Sequence, residues 1–567
     1  ETFADAKAMV MLMETPASTF YLNLNAENNN TYIASNGIAE TATQVADGVL
    51  HLADGRGEIH LERQSLPGGA TLQRTTLVNT GDTALLADTL SAAFLTGIGS
   101  DGERHWDDDR FRVHFAYSSW QGEGQWRHMS PEDAGLYKTY NHHSQTSVRL
   151  RSVGTWSTAK YYPLLLLEDT ELHRTHFFEV LVGGTGWQIE LCARGHREDS
   201  TLCVFLGAAC EGNDGWTLTL APGERYTTCP ALYGCVEGGF EEAVAALTGA
   251  KRALALRRLP GGVPPLCFND YMNCLWALPT REKLIPLMDA AARVGAEYFV
   301  IDAGWFRTSG NWSADMGDWE PWDELFGEGG VQGILNEIVA RGMKPGVWLE
   351  IESVGISSAF AKAHPEALLY RHGHVIGKDR CFMDFRNPAV RAHIRGVFDR
   401  LYRMGVRYVK NDYNQSVGVG IDTHGAPDRN GALALGDHAA AVLSLVDEIC
   451  TAYPDFIIES CCSGAMRSDF GAVRHFYLQS SSDQEDYLRT PSVITGLSAC
   501  LPPERVGVWA CPYPVAIDYR DSFRPSAEFT AGFADGRVTV HNMVSGLMGL
   551  MYLCYTQVRH RIQEEKK

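Results

Sequence analysis

From about residue 15 to residue 235, apolar and polar side chains alternate with a period of two. Trp216-Thr217-Leu218-Thr219-Leu220 alternates and then meets the turn signal Ala221-Pro222-Gly223-Glu224, and Thr185-Gly186-Trp187-Gln188-Ile189-Glu190-Leu191 repeats the beat after two glycines. Many short strands separated by turns predict an antiparallel β-sandwich over residues 1–240. Glu241 to Arg258 carries helical spacing, with Val244, Leu247 and Leu254 among its apolar positions. Leu259-Pro260-Gly261-Gly262-Val263-Pro264-Pro265 then breaks the pattern, so residues 241–262 read as a linker helix and boundary.

Beyond the boundary the rhythm changes to short apolar strand, loop and long helix. Strands are expected at Leu266–Phe268, Tyr298–Ile301, Gly346–Leu349, Tyr408–Val409, Phe456–Ile458, Phe476–Leu478 and Val506–Trp509, with an eighth near Arg537–Val540. Helices are expected between them at Arg281–Val294, Val331–Arg341, Ala389–Met404 and Asp437–Tyr453. Strands alternating with helices imply a parallel sheet, and residues 263–567 suit a catalytic (β/α)8 barrel, with a doubly wound open sheet as the alternative. The expected fold is therefore multidomain, β plus α/β.

The 567 residues exceed the size at which a single core stops growing, which agrees with two domains. Lys plus Arg number 49 against 69 Asp plus Glu, a formal charge of −20 that repels nucleic-acid phosphates and anionic lipid but not a neutral substrate. No segment supplies the roughly 18 uninterrupted apolar residues of a membrane span, since the apolar run His541 to Tyr555 is short and carries two glycines. The 14 scattered cysteines, without zinc spacing, read as free thiols of a reducing compartment, while a start on Glu1 is compatible with a removed leader.

Candidate chemistry gathers where the barrel strands end: Asn269 and Asp270, Asp302, Glu350 and Glu352, Asp412, Glu459 with Ser460, and Ser481-Ser482-Asp483. A barrel places all of these on one face, the face that carries active sites. In Tyr408-Val409-Lys410-Asn411-Asp412-Tyr413-Asn414, strand alternation turns Lys410, Asp412 and Asn414 to one side, so an ammonium neighbours the carboxylate and keeps it ionised. Trp305, Trp312, Trp319, Trp322 and Trp348 crowd the same loops, where ring faces beside carboxylates suit a sugar. Gly97-Ile98-Gly99-Ser100-Asp101-Gly102 matches a dinucleotide fingerprint in letters only, because charged Glu103 to Arg110 follows in place of a helix. The chain has no G-x-S-x-G elbow, H-E-x-x-H or Walker loop, and its histidines do not fall at strand ends with ligand spacing, so no metal or cofactor is expected. Two carboxylates with different tasks point to glycoside hydrolysis.

Six segments, in this order, resemble glycoside hydrolase family 36: Phe299 to Phe306, Gly317 to Pro321, Lys344 to Glu350, Lys410 to Asn414, Glu459 to Asp469, and Ser482 to Asp486. In the first domain the likeness is looser, at Trp120-Gln121-Gly122-Glu123-Gly124-Gln125-Trp126 and Tyr162 to Glu168. That family contains α-galactosidases and α-N-acetylgalactosaminidases, and the resemblance implies a β-sandwich ahead of the barrel. It also implies Asp412 as nucleophile and Asp483 as general acid/base; the residues agree, since acidic Glu485 and Asp486 nearby are expected to raise the pKa of Asp483. Asp302, Trp348, Lys410 and Arg467 are implied to line the sugar subsite, with Cys461 and Gly464 near the 2-position, and Asn414, on the same side of its strand as Asp412, is a further candidate for binding the substrate. The family's adjacent acid pair is here Asp302-Ala303, and Asp318 on the following loop is a candidate to reach the same hydroxyl. The expected activity is a retaining exo-α-glycosidase acting on terminal α-galactosides as its carbohydrate partner, with a homo-oligomer common in the family. The alternatives are an α-N-acetylgalactosaminidase or hydrolase of another 2-substituted galactoside, a transglycosylase, and an inactive sugar-binding protein. The family's small C-terminal β-domain has no visible counterpart after Tyr555.

Overall fold

The computed structural model describes residues 48–510 except 53–54, 88, 138–146, 195–199, 208–217, 260–261, 263, 276, 426–430, 485 and 487, together with 18–19, 22–23, 42–46 and 550–553. Its first part is a sandwich of a five-stranded and a ten-stranded antiparallel sheet. Tyr161–Asp169 sits inside the larger sheet, paired with Phe111–Tyr117 on one side and Arg174–Val180 on the other. The unbroken run Leu164-Leu165-Leu166-Leu167 follows from this position, because both faces of the strand are covered. Leu165 and Leu167 pack with Leu95, Ile189 and Val204 of the smaller sheet. Leu164 and Leu166 face the opposite way, onto Ala243, Leu247 and Leu497.

Those last contacts explain the segment expected to be a linker. The helix Phe240–Leu254 buries Ala243, Ala246, Leu247, Ala250 and Leu254 in a cluster shared by sandwich and barrel, so it wedges between the two. The glycine-rich stretch at Gly97–Gly102 wraps the Arg110 side chain, which donates to the carbonyls of Gly99 and Arg104 and pairs with Asp169. Turns follow it, with no helix N-terminus to receive a phosphate.

Eight parallel strands close into a barrel: β1 Cys267–Asn269, β2 Tyr298–Ile301, β3 Lys344–Leu349, β4 Tyr408–Asn411, β5 Ile457–Ser460, β6 Leu478–Ser480, β7 Val506–Ala510 and β8 Leu550–Leu553. Cys267 of β1 lies opposite both Tyr298 of β2 and Tyr552 of β8, which completes the ring. Closure rules out the open-sheet alternative. The eighth strand is Leu550–Leu553, whereas the expected Arg537–Val540 lies outside the described residues. Helix spacing gives the outer layer: Pro388–Arg403 starts with Asn387 accepting the Ala389 amide at 2.9 Å and Pro at the first position. It buries Val390, Ile394, Val397, Phe398 and Leu401 as one stripe. The expected helix at Asp437–Tyr453 begins earlier, as Gly431–Ala452.

Sandwich and barrel are bolted together beneath the loop that follows β5. Buried Asp469 accepts from the Ser157 hydroxyl at 2.6 Å and from the amides of Gly183, Gly184 and Ala472 at 2.9, 3.0 and 3.1 Å. Thr158 adds bonds to the Ala465 carbonyl at 2.6 Å and from the Ser468 amide at 3.0 Å. Asp469→Ala leaves those donors buried without an acceptor. A loss of about 3 kcal/mol is expected, read as a lowered midpoint of denaturant unfolding.

Candidate active site

The C-terminal ends of β2, β3, β4 and β5 and the segment after β6 supply the polar side chains of one cluster. Asp302, the first residue past β2, has a buried carboxylate that accepts from Lys410 Nζ at 3.0 Å and Asn269 Nδ2 at 2.7 Å. The Ala303 amide donates to its other oxygen at 2.8 Å, and the Asp302 amide donates to Asp270 at 2.7 Å. The Lys410 ammonium, 4.9 Å above the Trp509 ring, thus bonds Asp302 rather than Asp412. Burial opposes its charge, but Asp302 and the neighbouring acids hold its pKa well above the ordinary value.

Asp412 follows β4 directly. Trp348 Nε1 donates to its Oδ2 at 3.1 Å, and the amides of Tyr413 and Ser463 donate to its Oδ1 at 2.9 and 3.3 Å. Burial favours the neutral acid, yet the Lys410 charge and the Trp348 and Asn414 donors outweigh it, so the carboxyl lies below its ordinary range and stays ionised. Asp483 has the opposite balance. Desolvation, with the Asp412 charge adding to it, pushes the Asp483 carboxyl up to about 6 against the single opposing bond from Trp120 Nε1 at 2.9 Å. Asp486 does not produce this shift; its carboxylate accepts from the Leu488 amide and faces Arg489, and Glu485 lies outside the described residues. One acid is held ionised, and its neighbour holds its proton to a higher pH.

Cys461 is buried, and desolvation together with Asp412 raises its thiol well above the ordinary value, keeping it neutral. Gly464 has φ +79°, and a Cβ there would fall 2.6 Å from the Ser482 backbone, so glycine lets the segment carrying Asp483 close onto the loop after β5. Asn414 is committed to Glu350, through its amide at 3.0 Å and its side chain at 3.2 Å, and accepts from Ser463 Oγ at 2.7 Å.

Two expected subsite residues bond neighbouring protein groups. The two terminal guanidinium nitrogens of Arg467 each donate to Glu352, at 3.1 and 2.6 Å, and the group lies 4.1 Å over the Tyr413 ring. It therefore buttresses the residue next to Asp412, and with His438 it overcomes burial to bring Glu352 down to about 2. Asp318 accepts the amides of Ala359 and Phe360 at 2.7 and 2.9 Å, capping the short helix Ala359–Ala363. Of the tryptophans, Trp305 and Trp319 are core: Trp305 is fully buried and donates to the Trp348 carbonyl at 2.9 Å, and Trp319 packs edge-on to Trp348. Trp348 alone donates to Asp412.

Arg380 and Trp120 were missed. Arg380 donates twice to Glu350, at 3.2 and 2.9 Å, from a strand deep in the β3–β4 connection, where no local pattern marks it. Trp120 had a signal, an aromatic framed by polar residues and glycines in a turn. No group of three or more metal-ligating side chains occurs among the described residues, and none of their helices is long and apolar enough to cross a membrane.

Residues 251–522 match the melibiase family model. The barrel segment is similar to the melibiase family over that span. An α-galactosidase of Lactobacillus acidophilus is 27% identical over 300 residues, which is 51% of this chain and 40% of that protein. One from Pediococcus pentosaceus is 28% identical over 241 residues, 42% of this chain and 32% of that protein. The matched segments thus span less than half of these relatives' own length. The barrel and the sandwich together superimpose on the family 36 α-galactosidase AgaA of Geobacillus stearothermophilus with a TM-score of 0.74 at 18% identity, covering 96% of this chain and 72% of that one. The galactosidase domain of an α-galactosidase–sucrose kinase gives a TM-score of 0.73 at 19% identity, with 97% and 71% covered. The two-part fold, β-sandwich plus (β/α)8 barrel, is shared with them.

Proposed function

We propose that this chain hydrolyses terminal α-linked galactosides by a retaining double displacement. The observation that carries the reading is the pair of neighbouring carboxyls shifted in opposite directions, Asp412 held ionised and Asp483 raised to about 6. Asp412 attacks the anomeric carbon from the face opposite the leaving group while Asp483 passes its proton to the departing oxygen, which gives a glycosyl ester and a free alcohol. Asp483, now ionised, takes a proton from water as that water attacks the ester, releasing the sugar and restoring both acids. Asp302, Lys410 and Cys461 form the wall of polar groups that meets the sugar hydroxyls. The match of the barrel to the melibiase model supports the substrate class, as do the α-galactosidase names of the relatives and the solved complexes of AgaA variants with raffinose and stachyose.

A second reading, an α-N-acetylgalactosaminidase or enzyme for another substituted galactoside, draws on Ala303. Its methyl stands where the family's second acid is expected, and Asp318 is spent on a helix cap. A site built to bond a hydroxyl rejects the deoxy sugar by about 10⁴-fold or more. A site lacking one acid is expected to penalise that deoxy sugar far less. Nitrophenyl α-galactoside, its 4-deoxy and 6-deoxy analogues, the N-acetylgalactosaminide and the α-glucoside, compared by kcat/KM, test both readings. The galactoside should lead, with one deoxy analogue only mildly slowed. Turnover of none of them, with binding intact, points to a sugar-binding protein and sinks the hydrolase.

A further inference from the structure

The segment 118–124 joins the sandwich strands Phe111–Tyr117 and Gln125–Met129 and lies against the residues after β6. Trp120 Nε1 donates to Asp483 Oδ2 at 2.9 Å, and Gln121 Nε2 donates to the Asp483 main-chain carbonyl at 3.3 Å. Gln484 Nε2 returns a bond to the Gln121 carbonyl at 2.7 Å. Behind them the Ser482 hydroxyl donates to buried Glu123, and the Gln484 amide donates to Ser482 Oγ at 3.1 Å. Three consecutive residues, Ser482, Asp483 and Gln484, are thus held by one turn.

The turn is itself fixed in place. Gln121 adopts φ 63°, a left-handed conformation uncommon for a residue with a side chain, and its amide donates to Glu123 Oε1 at 3.2 Å. A Cβ on Gly124, φ +65°, would lie 2.8 Å from the Leu497 amide and 2.9 Å from the Gly496 carbonyl carbon, so the turn seats on the helix Thr490–Cys500. Trp126 Nε1 bonds the Gly496 carbonyl at 3.0 Å on the same helix. Trp120 is 57% exposed, so its ring is not kept in this place by burial.

We propose that this sandwich turn positions the acid/base, with the Trp120 N–H deciding which oxygen of Asp483 carries the proton. The inference rests on the reading of Asp483 as acid/base given above. An indole N–H donates and cannot accept. It therefore occupies Oδ2 as an acceptor and leaves Oδ1 as the oxygen that bears and delivers the proton. The charged and titratable groups facing Asp483 are Asp412 and Lys410 from the end of β4, Asp302 from β2, Cys461 after β5 and Glu123 from the turn itself. The indole bond favours the ionised carboxylate, so removing it raises the pKa and carries the protonated acid to higher pH.

Trp120→Phe in the full chain keeps the ring and removes the donor. Its kcat/KM is expected to fall about 10-fold on an alkyl α-galactoside, whose poor leaving group needs the acid, and less than about 3-fold on the dinitrophenyl galactoside. The alkaline limb of its pH profile should move up by about half a unit. Gly124→Ala, which pushes the turn off its helix without touching Trp120 or Asp483, should reproduce the same split between leaving groups. Equal losses on both substrates, or an alkaline limb left at the wild-type pH in Trp120→Phe, overturn the positioning role, whatever Gly124→Ala does. Asp483→Ala measured alongside separates the two levels: if it too keeps the wild-type limb, the acid/base reading itself has failed, and the proposal with it.

Discussion

Asp412→Asn is expected to lower kcat by on the order of 10⁶-fold, to below detection, while the protein stays folded and still binds sugar. The amide has the shape of the carboxylate, and with its oxygen in the Oδ1 place it still accepts from the Tyr413 and Ser463 amides, so the bonds that fix Tyr413 and the loop after β5 survive while the bond from Trp348 Nε1 is lost. What disappears is the nucleophile, because an uncharged amide oxygen forms no stable glycosyl ester. The same substitution also removes the negative charge that helps raise Asp483. Differential scanning with and without galactose checks the fold and the binding, and single-turnover assays with a dinitrophenyl galactoside check the chemistry. Proton NMR on the wild-type enzyme completes the test: an α substrate should give α-galactose first. Activity within about 100-fold of wild type in pure Asp412→Asn, or a β product first, removes Asp412 from the nucleophile's role.

The features legible in the chain are those set by near neighbours. Each barrel strand is a short apolar run ended by a polar residue, and that edge is local, which is why seven of the eight strands stand where the pattern puts them to within a few residues. β8 was misplaced because Leu550 to Leu553 sits inside the longer apolar run His541 to Tyr555, which offers no polar edge to mark a strand. The site is harder to read because its bonds join distant positions. Alternation correctly turned Lys410 and Asp412 to one side, but nothing local says that the ammonium bonds Asp302, 108 positions away, and acts on Asp412 only through its field. Asp318 and Arg467 likewise pair with a helix start and with Glu352, partners no local pattern names. Whether a charged side chain faces a substrate or a neighbour depends on which partner the fold brings nearer, and a motif does not contain that information. Trp120, 363 positions from Asp483, is the extreme case.

The second large effect is expected at Asp483, and its size and the step it strikes differ between substrates. Asp483→Ala removes the proton donor of the first step and the base of the second, a loss of about 10²–10⁴-fold on alkyl galactosides and on natural oligosaccharides. With a dinitrophenolate leaving group the first step needs no proton, so the glycosyl ester forms at near wild-type speed and accumulates because water is no longer activated. A burst of dinitrophenol followed by slow turnover is the expected record, and azide, which needs no base, should restore turnover and give α-galactosyl azide by attack on the face water would have used. Wild-type kcat/KM should fall as pH rises through about 6, where Asp483 loses its proton in the free enzyme, while Asp412, held below its ordinary range, sets the acidic limb further down. The substitution should erase the alkaline limb and leave the acidic one. If the good and poor leaving groups suffer equally, or the fall above pH 6 persists in Asp483→Ala, the proton comes from elsewhere. Glu123, raised to about 8 by burial and in contact with Ser482, is then the next acid to replace.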